Sequence, residues 1–138
     1  MKASRLLLSA ILILIFSMGT IVTSLSTTAS GGGDKGGRVL RHIVLYKFKD
    51  ELKPQQVDEV VAAFADLQKK IPEVIGLEHG TNLSAEGKSE GLTHAFLVTF
   101  RDEAGRDVYL KHPAHLGYVN LVRERREKVV VFDFWAEP

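Results

Sequence analysis

Residues 39–49 (VLRHIVLYKFK) carry two interleaved rows: Leu40, His42, Val44, Tyr46 and Phe48 on one face, Arg41, Ile43, Leu45 and Lys47 on the other. β-Branched and aromatic residues in this density predict a strand. Both rows are apolar in the middle, which predicts a strand covered on both faces. Pro54 then opens a helix, where its missing N–H costs nothing. Val57, Val60, Val61, Phe64, Leu67 and Ile71 follow at helical spacing and form one apolar stripe, which Pro72 ends. Residues 74–83 read as a second, weaker strand, 84–91 as a polar turn, and 93–101 as a third strand with His94, Phe96, Val98 and Phe100 on one face. Asp102 is placed as the N-cap of a short helix over residues 103–110. A further helical stretch is expected over residues 113–127, with Leu116, Val119 and Val122 on one side. Arg123, Arg125, Arg126 and Lys128 cluster at its end, where cations suit the helix dipole. Residues 129–136 (VVVFDFWA) close the pattern as the last strand.

The order is β-α-β-β-α-β, an α+β arrangement of ferredoxin-like type with an antiparallel sheet. Two helices cover one face of such a sheet. A unit of this size has no third layer for the other face, so a second copy of the chain is expected to cover it.

The first 29 residues differ from the rest. Lys2 and Arg5 precede the run LLLSAILILIF, and no further charge appears before residue 34. A positive start before a short apolar core predicts a secretory signal, with small residues at Thr27 and Ala29 before a cleavage point. The alternative is an uncleaved membrane anchor using residues 6–25, about the 20 residues a span requires. Either reading exports the rest of the chain to the periplasm or the extracellular space. Residues 30–37 (SGGGDKGG) form a flexible linker, and residues 38–138 form the domain.

Composition narrows the chemistry. The chain has 138 residues, no cysteine and a formal net charge of +1. Disulfides, thiolate metal sites and a cysteine nucleophile are excluded. Beyond the leader the charges nearly balance, which argues against a nucleic-acid partner.

Five histidines remain: His42, His79, His94, His112 and His115. No third ligand or carboxylate helper accompanies the His112/His115 spacing, so neither a metal site nor any other cofactor is expected. Pro113 biases His112 away from helical angles and presets the next helix, so His112 is expected to act structurally at a helix start. His115 then lies in the first turn, where a neutral imidazole can serve as a base near neutral pH. Tyr109, on the preceding helical segment, can donate a hydrogen bond to a carbonyl gaining negative charge. Asp133 sits in an otherwise apolar strand and needs a partner. The first and last strands of this sheet type are antiparallel neighbours, so a His42–Asp133 hydrogen bond is expected.

The segments RHIVLYKFKDE, GLTHAFLVTF, YLKHPAHLGY and VVVFDF together resemble the stress-responsive A/B barrel family, also called the dimeric α+β barrel (Dabb) family, over residues 39–137. The resemblance implies a ferredoxin-like protomer that pairs into a homodimeric barrel. One understood member is a plant polyketide cyclase that closes a poly-β-keto chain by aldol condensation. It implies His115 as general base and Tyr109 as holder of the substrate carbonyl, with His42 and Asp133 lining the same pocket. Val44, Phe64 and Phe96 complete the expected lining. Phe64 is the one bulky aromatic on the first helix here, where the cyclase has several, so a different ligand is implied. Most members have no known reaction. The expectation is therefore an exported domain, small-molecule-binding or stress-associated, taking a small apolar or aromatic ligand. The alternatives are a proton-transfer enzyme acting on a β-keto or aromatic compound and, more remotely, a haem-handling or oxygenase-like domain.

Overall fold

The computed structural model describes residues 37–137. The signal or anchor expected over residues 1–29, and nearly all of the linker, lie outside the described residues. The elements are β1 (Val39–Phe48), α1 (Pro54–Ala65), α2 (Leu67–Lys70), β2 (Gly76–Thr81), β3 (His94–Phe100), α3 (Glu103–Lys111), α4 (Pro113–Arg123) and β4 (Arg126–Ala136). The four strands form one antiparallel sheet in the order β2-β3-β1-β4. This is the α+β, ferredoxin-like order expected from the hydrophobic pattern.

β1 sits in the middle and fixes which residues share a face. Val44 stands opposite Phe96 on β3 and Val131 on β4, and His42 stands opposite Val98 and Asp133. The row Leu40, His42, Val44, Tyr46 and Phe48 faces the helices and is buried throughout. Phe64 of α1 stacks on Phe96 at 4.1 Å between ring centres and meets Tyr118 of α4 edge-on at 4.9 Å. Val60, Val98, Val122 and Ile71 close the core around them.

Two helices depart from the sequence pattern. The stripe from Val57 to Ile71 spans two helices, because the chain turns at Asp66 between α1 and α2. Leu67 and Ile71 nonetheless stay in the core. Ile71 is already extended (φ −125°, ψ 103°), as the residue before Pro72 prefers. The last helix ends at Arg123 rather than near residue 127. Arg125 turns toward α1, where it pairs with Glu59 at 2.7 Å and donates to the Gln56 carbonyl. Arg126 and Lys128 belong to β4 instead, so the basic cluster does not cap the helix. Extending the β4 ladder back to Phe48 satisfies backbone groups that a frayed helix end would leave open.

The other sheet face carries Ile43, Leu45, Leu97, Val130, Phe132 and Phe134 in register. The described protomer does not cover it: Phe132 is 61% exposed and Phe134 38%. A contiguous apolar surface of this kind marks an interaction face.

Candidate active site

The turn between α3 and α4 builds the site. Asp102 caps α3 by accepting the Gly105 N–H at 2.8 Å. His112 ends α3 and begins α4 at once. Its backbone N–H donates to the Tyr109 carbonyl at 3.1 Å, and its side-chain Nδ1 accepts the Ala114 N–H at 3.1 Å. Pro113 occupies the first helical position, where φ is already fixed near the helical value. His112 therefore has the structural part its position implied.

This turn brings the first turn of α4 back over the last turn of α3. His115 Nδ1 lies 3.1 Å from the Leu110 carbonyl oxygen. A carbonyl only accepts, so Nδ1 carries the proton and the neutral ring keeps its lone pair at Nε2. The imidazole lies against Tyr109, with ring centres 4.3 Å apart. Burial lowers the His115 pKa below the ordinary histidine value. The bond to Leu110 opposes the shift, and nearby His42 adds to it. Burial thus favours the neutral ring. Tyr109 is 1% exposed, and burial raises its phenol well above the ordinary range, so it stays a hydrogen-bond donor.

His42 approaches from β1. Its ring meets Tyr109 edge-on at 5.8 Å and Phe100 at 6.3 Å. Its Nδ1 lies 2.6 Å from Asp133 Oδ1, the bond expected from neighbouring strands. Asp133 is not buried alone: its second oxygen accepts from Arg106 Nη1 at 3.1 Å. Arg106 also holds Asp107 through Nε and Nη2. Arg106 escaped the sequence reading. Its position one helical turn before Tyr109, together with the partner that Asp133 required, was the available signal.

His42, Asp133, Tyr109 and His115 thus converge, with Arg106 behind them. Val44, Phe64 and Phe96 do not join this polar group. Phe64 and Phe96 stack on each other, and Val44 lies beside Phe96 on the buried sheet face. They are core residues that bound the same interior. The remaining histidines lie toward the other end of the sheet, His79 against Phe96 and His94 against Phe48. Among the described residues no three His, Asp or Glu side chains are grouped so as to hold a metal ion.

This geometry has counterparts among known proteins. The family model described as Stress Responsive A/B Barrel Domain matches residues 40–136. Olivetolic acid cyclase of Cannabis sativa is 33% identical over 95 residues, 69% of this chain and 94% of the cyclase. The hydroxynitrile lyase of Passiflora edulis superposes with a TM-score of 0.69 at 30% identity, covering 72% of this chain and 94% of the lyase. A dimeric ferredoxin-like protein of unknown function from Thermobifida fusca superposes with a TM-score of 0.64 at 26% identity, covering 73% of this chain and 93% of its own.

The depressed histidines set the sign of a pH dependence. His115 and His94 are both lowered chiefly by burial. Below about 6.5, the unfolded chain protonates these rings before the folded protein does. Their contribution to stability is therefore complete above pH 6.5 and is lost as pH falls toward the folded pKa values. The melting temperature is expected to drop from pH 7 to pH 5, with a shallower drop in His115→Gln and His94→Gln. An equal slope in both variants and wild type would contradict the assignment.

Proposed function

The chain belongs to the stress-responsive A/B barrel domain family, and we propose that its interior binds a small organic molecule and abstracts a proton from it with His115. The observation that carries this reading is the His115 tautomer. Nδ1 is tied to the Leu110 carbonyl, so the lone pair of Nε2 is available on a ring that burial keeps neutral. A general base requires these two properties near pH 7. In a β-keto or phenolic ligand, His115 Nε2 takes the proton from the acidic carbon or hydroxyl. The bonding pair moves onto the ligand's oxygen, and the Tyr109 O–H donates a hydrogen bond to the charge that develops there. The Asp133 carboxylate accepts from Nδ1–H of His42 and fixes that ring against Tyr109. Arg106 fixes the carboxylate in turn. Two of the similar proteins bear enzyme names, a cyclase and a hydroxynitrile lyase, which supports a catalytic reading over simple binding.

The uncovered sheet face supports a homodimer. A second copy would bury Ile43, Leu45, Phe132 and Phe134 face to face and close the barrel, and the similar Thermobifida protein is described as dimeric. We also hold residues 1–29 to direct export, either cleaved after Ala29 or retained as an anchor, on the strength of Lys2, Arg5 and the aliphatic run after them.

Three measurements test these parts. Deuterium exchange at the α-carbon of a β-keto ester, followed by NMR, should be accelerated by the wild-type protein. His115→Asn should slow it by about 10²-fold or more and Tyr109→Phe by a comparable factor. Absence of acceleration by the wild type would refute the base. Sedimentation should show a wild-type dimer and a monomer for Leu45→Asp, since an unpaired carboxylate in a closed interface costs roughly 2–5 kcal/mol. A wild-type monomer at micromolar concentration would refute the barrel. Protease added to cells stripped of their outer envelope should digest the domain, or the domain should be found in the medium; protection that persists until the cytoplasmic membrane is lysed would place it in the cytoplasm instead.

A further inference from the structure

The uncovered sheet face is apolar apart from four charges, and two of these are poorly matched within the protomer. Along β1 the face carries Arg41, Ile43, Leu45 and Lys47. Arg41 stands opposite Thr99 on β3 and Phe134 on β4. Glu78 of the edge strand β2 pairs with Leu97 and so shares this face. Lys47 pairs at 2.7 Å with Glu127, the residue that a bulge leaves out of the β1–β4 ladder, and Lys128 pairs with Glu90 at 3.1 Å. Arg41 differs. Its Nη1 donates to the Thr99 hydroxyl, and the one carboxylate near it among the described residues, Glu78, stays 3.9 Å away, too far for a hydrogen bond. The Glu78 side chain is 75% exposed. Gly76, opposite Thr99, has no side chain to crowd that hydroxyl; a Cβ there would lie 3.3 Å from it.

The shape of the face is lopsided. Its β4 side is raised by Val130, Phe132 and Phe134. Its β2 side has Gly76 and Gly80 instead, with Ala95 beside Gly80 on β3. A Cβ at Gly80 would touch nothing, and Leu45, Gly80, Leu92 and Ala95 border a recess of about 340 Å³ there. A ridge on one side and a hollow on the other fit each other in a two-fold pair whose axis runs between the sheets along the strands, because that axis lays β4 of each copy over β2 of the other. The same axis brings the two Arg41 residues toward each other on the central strands. Guanidinium groups closing together in an apolar interface need anions, and Glu78 is the carboxylate that strand pairing puts on this face. Glu78 of the partner subunit then lies about one strand spacing (~4.8 Å) to the side of Arg41 and two residues (~7 Å) along it, between sheets about 10 Å apart. The two extended side chains span that separation.

We infer that in the homodimer Arg41 pairs with Glu78 of the partner subunit, twice by symmetry, and that this reciprocal pair fixes the orientation of the two copies and selects a like chain as the partner. The pairing presupposes the homodimer proposed above and adds the residues that set its geometry. Apolar contact alone lets two such faces slide or invert. A slipped or inverted copy leaves two arginines and two glutamates enclosed without partners, so the charges act chiefly against wrong arrangements. Thr99, itself 6% exposed, holds the guanidinium in place before the copies meet.

Co-expression of full-length chains carrying two different affinity tags, with the dimers counted by native mass spectrometry, tests this. Two tagged copies of the wild type should mix statistically, with about half of all dimers mixed. Arg41→Glu and Glu78→Arg each put like charges into both contacts of their own homodimer, whereas together they form a mixed dimer in which every contact is opposite in sign. That mixed dimer should make up about nine-tenths or more of all dimers. The uncharged pair Arg41→Gln and Glu78→Gln serves where a reversal fails to fold. It should show the same bias at smaller size, because the mixed dimer keeps one intact pair and each homodimer keeps none. Pairing confined to one protomer predicts statistical mixing for both sets, since each chain then carries its defect whatever its partner, and that result would overturn the inference. A wild-type dimer with statistical mixing of the variants would keep the homodimer and remove the charge pair. A wild-type monomer would remove both.

Discussion

The candidate site depends on one turn. Between α3 and α4 a single residue, His112, terminates one helix and starts the next, with Pro113 fixing the first backbone angle of α4. Three backbone N–H groups at this junction have partners. The His112 N–H goes to Tyr109, the Ala114 N–H to the His112 ring, and the Leu116 N–H to the His112 carbonyl. With the turn closed, His115 has one carbonyl within reach of its Nδ1, that of Leu110, and one ring to lie on, that of Tyr109. Backbone capping thus sets the tautomer of a side chain, and the tautomer sets what the ring can do.

The sheet supplies the opposite wall by register. Because side chains alternate along β1, a one-residue slip would send His42 to the uncovered face and Ile43 into the interior. The buried row from Leu40 to Phe48 makes that slip costly, so the packing of the core also aims the histidine. Asp133 follows from the pairing of β1 with β4, and Arg106 from the helix above it. The site therefore stands on regular elements and a capped turn, which hold side chains more accurately than an open loop does.

The architecture was legible in the sequence because the strands carry β-branched and aromatic runs, the first and last long helices each open on a proline and carry an apolar stripe, and Asp102 marks the start of the short helix between them. The cap at Asp102, the structural part of His112 and the His42–Asp133 bond all followed from residue type and strand adjacency. The break at Asp66 was hidden because Leu67 and Ile71 continue the stripe across it. The end of α4 was misread because Arg123, Arg125 and Arg126 look like a cationic helix end, whereas the ladder to Phe48 claims the last of them for β4. The polar groups around Arg106 and around Arg41, Thr99 and Glu78 are each assembled from three elements at large sequence separation. No local pattern records such a meeting, and a one-residue bulge such as the one at Glu127 leaves no mark on the hydrophobic period.

The central claim is that the α3–α4 turn holds His115 as a neutral ring with its proton on Nδ1 and an available Nε2. Long-range proton–nitrogen correlation NMR of the nitrogen-15-labelled protein at pH 7 reads this state directly. The account predicts a protonated Nδ1 and an unprotonated Nε2 for His115. A proton on Nε2, or a doubly protonated ring at that pH, would contradict it.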